Sequence, residues 1–521
     1  MAQAKDFRGI DILIVAIALY LVFRVVSSRL QITSCALPPG PKPWPLLGNL
    51  GDLPKDTEGP HFGRHKALYG PISSVRVLGT TFIILNDKKC VFDLLERRSS
   101  IYSGRPELYF GGRIDKLKAH RKLMYSFIGT HSALSKFQEL MEIETCRFIL
   151  KILNSPDQFM NHIRALPGAL ILKMLYGYST DPAERDPLIL LADEVVADIF
   201  SRSCTLGKWV VDTLLMLYIV RHFPEWFPGM GFKRQARLWA AKTASLCDKP
   251  YAFVQHQMMA GKAINSFILE CIESGVTEDN EDGENTVKCA AASLYAGGSD
   301  TTVGALGTFY LAMVKYPSVF KRAQDEVDGV IGLERLPTFL DRSDLPYINA
   351  ILKETLRWEN VIDVSPHLVT EEDNYMGYRI PKGAVVVPNI WQMTHDPENY
   401  HDPFVFKPER FLGVNGLTIE QDPRSFVFGF GRRICPGKEL ADMSMFIAMA
   451  MSISVFNISK AKDERGCEIE PLHEYVPGTI SHPKPFKCSI QPRSDKAAAL
   501  IRSVTDEHAF EGGDNEVIKS L

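Results

Sequence analysis

The chain has 521 residues, enough for a large buried core, and at 45% hydrophobic and 23% charged residues it is neither a disordered nor a fibrous protein. Its 59 basic and 62 acidic side chains leave a formal charge of -3, which provides no electrostatic footprint for nucleic acid. Ten cysteines without one C-x-x-C pair exclude a disulfide scaffold and the usual zinc and thioredoxin signatures, and fit a reducing environment with at most one special cysteine.

From the N-terminus, Ile12 to Phe23 is an unbroken apolar run, extended by Ile10, Val25 and Val26 to the short end of a membrane span. Val26-Ser27-Ser28-Arg29-Leu30 is a poor cleavage site, so residues 1–30 are expected to be a retained membrane anchor helix. Lys5 and Arg8 precede the run, and Arg24, Arg29 and Lys42 follow it, which favours a cytoplasmic body. Residues 31–48 hold Pro38-Pro39-Gly40-Pro41-Lys42-Pro43-Trp44-Pro45, a stiff spacer that suits neither a helix nor a central strand. The body spans 49–493, with a C-terminal tail over 494–521. Within it, Val75 to Leu85 reads as a strand pair around Gly79, and most of Lys88 to Tyr316 reads as helices. The fold class is therefore mainly α with a small β part. An aromatic and proline-rich connector around Pro224, Trp226, Phe227, Pro228, Met230 and Phe232 reads either as a packed loop or as a surface dipping into lipid headgroups. Thr277 to Asn285 reads as a solvated acidic loop.

Thr286 to Lys315 predicts one buried helix whose middle carries Gly297, Gly298, Asp300 and Thr301. Glycine and aspartate are poor helix formers, so the helix is expected to open locally there, with Asp300 and Thr301 holding water and passing protons. Glu354 and Arg357 lie three apart on one helix face, and Arg410 offers a third partner for a buried network joining two distant segments. Phe428 to Gly437 is a glycine-rich turn carrying Cys435 before an apolar run from Leu440 to Val455. Its glycines permit a tight turn whose backbone N–H groups can stabilise a thiolate.

Taken together, these motifs resemble the cytochrome P-450 family of haem-thiolate monooxygenases, from the proline hinge to about Arg493. Cys435 occupies the family's axial ligand position in F-x-x-G-x-R-x-C-x-G, with Phe428, Gly431, Arg433 and Gly437 in their places. Glu354 and Arg357 match its E-x-x-R pair and Arg410 completes that triad, while Gly298, Asp300 and Thr301 match its oxygen-activating stretch. Arg433, Arg121 and His367 sit where the family contacts the haem propionates, which need charge-assisted donors. The stretches from Trp226 and from Ile480 look like those of fungal microsomal members.

The resemblance implies haem as cofactor, dioxygen as co-substrate and a lipophilic small molecule, terpenoid or polyketide-like, held near Ala292, Ala296, Val361 to Val364 and Gly478 to Ile480. No nucleotide fingerprint is present. Electrons are expected from a membrane-bound NADPH-cytochrome P-450 reductase of the endoplasmic reticulum, docking on Lys118, Lys122, Arg432 and Lys438. The catalytic domain is expected to face the cytosol. Two other readings are a haem-binding member that has lost turnover and a reductase-independent haem-thiolate isomerase or dehydratase, against both of which the retained Asp300 and Thr301 argue. The chain departs from the family between Pro106 and Arg121, where members spend a longer loop and carry Trp at the position of Leu117. A lost coding segment is the favoured explanation over a genuine deletion.

Overall fold

The computed structural model describes residues 35–45, 47–54, 57–105, 117–181, 186–200, 224–226, 230–278, 282–413, 418–507 and 512–521. The expected anchor, the stretch 106–116 before Leu117 and the centre of the aromatic connector at 227–229 lie outside the described residues. Among the described residues no helix is long and apolar enough to cross a membrane.

In chain order the main elements are α1 (Glu58–Tyr69), β1 (Ile72–Val77), β2 (Thr80–Leu85), α2 (Leu117–Ile128), α3 (Gln138–Asn154), α4 (Phe159–Tyr176), α5 (Pro187–Asp193), α6 (Gly231–Met259), α7 (Phe267–Glu273), α8 (Gly283–Lys315), α9 (Pro317–Val330) and α10 (Pro346–Trp358). They continue with β3 (His367–Leu368), β4 (Val385–Pro388), α11 (Ile390–His395), α12 (Lys438–Val455), β5 (Phe456–Lys460), β6 (Tyr475–Val476), β7 (His482–Pro483), β8 (Cys488–Pro492), α13 (Asp495–Glu507) and α14 (Asn515–Ser520).

The expected strand pair is β1 and β2, joined antiparallel through Leu78 and Gly79, both at positive φ as a two-residue hairpin requires. Parallel β4 pairs with β2 on its other edge, and β3 closes the sheet, giving the order β1, β2, β4, β3. The proline-rich stretch is docked rather than a free spacer. Ser74 donates to Pro39 O at 2.8 Å and to Pro38 O at 2.6 Å, and a Cβ on Gly40 would stand 1.9 Å from Ser74 O.

The helical part is organised around α8, which packs against α2, α4, α10, α12 and β7. It is α-helical without interruption, so the expected local opening does not occur. Its first turn begins at Gly283, which shortens the acidic loop expected to reach Asn285. A Cβ on Gly298 would lie 2.4 Å from Ile171 Cδ1 on α4, the movable end of a side chain, so packing there favours a small residue without demanding glycine. Helix α12 is buried along almost its whole length, as its apolar sequence on all faces requires. Beyond Arg493 the chain turns back on the body, with Ala497, Ile501 and Ile518 buried in the main core.

Candidate active site

The turn before α12 is built from local bonds. Cys435 N–H donates to Phe428 O at 2.7 Å, and Arg433 N–H donates to Phe430 O at 3.0 Å. Gly431 has φ +53°, and a Cβ there would stand 2.1 Å from Leu95 O, so only glycine fits against the distant helical segment Phe92–Arg97. Phe428 is half-buried, and its role in the turn is carried by its carbonyl. Gly437 is the N-cap of α12, where a side chain would meet only ordinary contacts, so space does not demand glycine there. Its N–H and the Arg121 charge draw the Cys435 thiol down, but burial outweighs them and pushes it above its ordinary value. Cys435 has accessible surface although protein atoms crowd it on nearly every side, so its open face is a wall of interior space. A cation in front of the sulfur would reverse the balance and favour the thiolate.

Beside this turn the fold gathers cations without a matching acid among the described residues. Arg121 on α2 donates to Ile434 O at 2.5 Å and Arg433 Nε donates to Ser103 O at 2.7 Å. His367 is 1% exposed, bonds Tyr102 O through Nδ1 at 2.7 Å, and leaves Nε2 buried with no partner. Arg105, which the sequence reading passed over, donates to Pro366 O. Burial and the charges of Arg433 and Arg121 lower Arg105 to about 10; burial and then Arg105 lower His367 to about 4. Every hydrogen bond described for these guanidinium groups goes to a main-chain carbonyl. A group carrying two carboxylates, seated on Cys435, would supply the missing counter-charge, and haem with its propionates fits.

On α8, Thr301 is half-buried and its hydroxyl donates to Gly297 O at 2.7 Å, the back-bond common for threonine within helices. A Cβ on Gly297 would meet nothing within 4 Å, so this face borders open space. Asp300 is 3% exposed on α8, and His482 Nε2 from β7 lies 3.0 Å from its Oδ1. Sequence reading missed this partner, which is 182 residues away.

Glu354, Arg357 and Arg410 meet in a fully buried cluster. Arg357 holds Glu354 through two bonds of 2.8 and 2.9 Å, and Arg410 Nε lies 3.1 Å from the same carboxylate. Arg357 also donates to Thr394 O and Pro403 O, and Lys407 N–H donates to Glu354 at 2.7 Å. The expected triad has a fourth member: Glu420 accepts from Arg410 at 2.7 Å and balances the second arginine.

The two segments expected around the substrate meet each other. Ser481 N–H donates to Val361 O at 2.8 Å, and Asp363, Val364 and Pro477 to Thr479 line a cavity of about 40 Å³. Burial, then Glu359 and Glu58, push the Asp363 carboxyl up to about 7. Lys118, Lys122 and Arg432 are exposed, while Lys438 is half-buried at the start of α12.

Against known proteins, the family described as Cytochrome P450 matches residues 38–490. "Cytochrome P450 monooxygenase claR" of Ampulloclitocybe clavipes is 45% identical over 506 aligned residues, covering 94% of this chain and 92% of the relative. "Cytochrome P450 monooxygenase 208" of Postia placenta is 44% identical over 510, covering 95% and 97%. "O-methylsterigmatocystin oxidoreductase" of Aspergillus flavus is 37% identical, covering 92% of each. In the first alignment 94% of 521 residues is about 490, so about 16 of its 506 positions belong to the relative alone.

Proposed function

Because the chain belongs to the cytochrome P450 family, we propose that it inserts one oxygen atom of dioxygen into a lipophilic small molecule of fungal secondary metabolism. When bound, haem supplies dioxygen activation, and a thiolate ligand favours cleavage of the O–O bond. The observation that carries the reading is the half-buried cluster of Arg105, Arg121 and Arg433 with the buried, unpartnered Nε2 of His367, all beside the Cys435 turn. Cys435 Sγ would hold the haem iron and the arginines and His367 would bind the propionates, while the Asp300 carboxyl and Thr301 hydroxyl would hold and move protons. Glu354, Arg357 and Arg410 fix the chain that leads into the thiolate turn.

Residues 1–30 anchor the protein in the endoplasmic reticulum with the catalytic domain in the cytosol, and the exposed Trp44 and Trp226 fit contact with lipid headgroups. An NADPH-cytochrome P-450 reductase supplies electrons by docking on Lys118, Lys122, Arg432 and Lys438. Co-expression with that reductase tests the reading. The reduced protein should show the thiolate-type spectrum with carbon monoxide, lost in Cys435→Ser, and new oxygenated metabolites should appear. A thiolate-type band persisting in Cys435→Ser overturns the ligand assignment.

The stretch between Pro106 and Arg121 has lost a coding segment. Its short spacing and Leu117 in place of the family's Trp support this. The mature transcript should contain the extra codons. A transcript matching this chain and yielding tightly haem-loaded protein refutes the loss.

A further inference from the structure

Asp300 is a buried acid in an unusual state. Neither carboxylate oxygen accepts a well-aligned hydrogen bond, a condition that costs about 1 to 3 kcal/mol or more for a buried polar group. Stability alone would not build it. His482 is the only basic side chain within ion-pair distance among the described residues. Its Nε2 lies 3.2 Å from the main-chain oxygen of Asp300 and 3.0 Å from Oδ1. The ring nitrogen is aligned with the main-chain oxygen, so a small rotation would hand the same N–H to the carboxylate. The imidazole is 17% exposed and the acid 3%, so the ring keeps accessible surface where the acid has almost none.

The approach of β7 to α8 is prepared in the helix itself. A Cβ on Gly304 would stand 2.7 Å from Ser481 O, and one on Gly307 would stand 2.9 Å from Pro483 Cγ. Two glycines three apart therefore open the lane in which His482 lies. Among the described residues, Asp193 at the end of α5 also faces this pair, and Arg164 of α4 lies 3.4 Å from its carboxylate. Burial pushes the Asp193 carboxyl above its ordinary range, and the Arg164 charge holds it back; Asp300 and His482 also act on it.

We propose that His482 is the residue that hands protons to Asp300, a positioning and proton-passing partner acting through that acid. The step breaks the Nε2–H bond and forms an O–H bond at Asp300 Oδ1, while Nδ1 takes a replacement proton from water. The proposal rests on the assignment of Asp300 to proton delivery, and its test separates the two.

His482→Gln keeps a side-chain N–H for the Asp300 carbonyl but cannot relay a proton. With reductase and NADPH and no added substrate, this variant should retain haem and the carbon monoxide spectrum while NADPH oxidation slows about tenfold or more, at or below the lower end of what an acid–base group contributes. Asp300→Asn should slow at least as much, and the double variant should be no slower than Asp300→Asn alone. If Asp300→Asn runs at the normal rate, the role of Asp300 itself falls. If Asp300→Asn is slow but His482→Gln is normal, or if the two losses multiply, the relay through His482 is overturned and Asp300 stands. A second readout does not depend on turnover. The reduced, carbon monoxide-bound holoenzyme labelled with 15N-histidine should show an exchange-protected ring N–H that disappears in His482→Gln and shifts in Asp300→Asn. Absence of that signal, or its indifference to Asp300→Asn, also overturns the proposal.

Discussion

Arg105 is a cation held among cations. Burial and the nearby Arg433 and Arg121 charges lower it to about 10, so without an anion the site works against folding. Arg105→Gln keeps a donor for Pro366 O while removing the charge. The haem-free variant should therefore be about 1 kcal/mol more stable than the parent. The loaded variant should lose haem about 10- to 100-fold faster, the worth of one charge-assisted bond. Urea unfolding of the haem-free protein and the rate of haem transfer to an acceptor globin check the two signs separately. Loss of stability in both forms would make Arg105 an ordinary structural residue. Gly431 shows a requirement of a different kind, since its positive φ and the Leu95 carbonyl leave no room for a side chain.

The Glu354 cluster ties α10 to the chain on either side of Arg410. Because Glu354 accepts from Arg357, Arg410 and Lys407, truncating it leaves the buried Arg357 without a counter-charge and Arg410 with Glu420 alone. Glu354→Ala should cost roughly 3 to 5 kcal/mol and leave haem-poor protein. Glu420→Gln retains an acceptor for Arg410 at a more solvated site and should cost about 1 kcal/mol. Denaturant midpoints and haem content of the two variants measure the difference, and equal losses would contradict the central place of Glu354. The Glu354–Arg357 pair was legible from its spacing of three on one helix face. Glu420 was not: it stands ten residues beyond Arg410 in irregular chain, and no local periodicity marks which carboxylate there will reach the guanidinium.

Across the whole molecule, burial sets how stability follows pH. His65, His367 and His395 are each lowered to about 4, burial being the largest cause. Unfolded, they take up protons near about 6.5, so the haem-free protein should lose stability as pH falls from there towards 4, each histidine contributing up to about 3 kcal/mol. Asp363 acts in the other direction. Its carboxyl is pushed up to about 7, so the unfolded chain ionises first and stability falls as pH rises from about 4 to 7. Asp363→Asn should leave the acid side unchanged and gain on the parent progressively across that upper window. Unfolding free energies measured at a series of pH values test both slopes, and a parallel pair of curves would remove Asp363 from the account.

The sequence by itself determined what is encoded over short spacings. The glycine-rich turn that presents Cys435, the E-x-x-R pair, the β1–β2 hairpin at Gly79 and the long apolar helix carrying Asp300 and Thr301 each follow from residues within a few positions of one another. Backbone sterics and helical periodicity act at that range, so they can be read without a fold. Tertiary structure decided the rest. It kept α8 continuous where glycines and an aspartate suggest an opening, because the helix is packed against α2, α4, α10, α12 and β7. It also brought Arg105 beside Arg433 and His367, and His482 to Asp300. A charge shows which acid or base it will face only when the chain has folded, since that choice is made by packing between segments far apart in sequence.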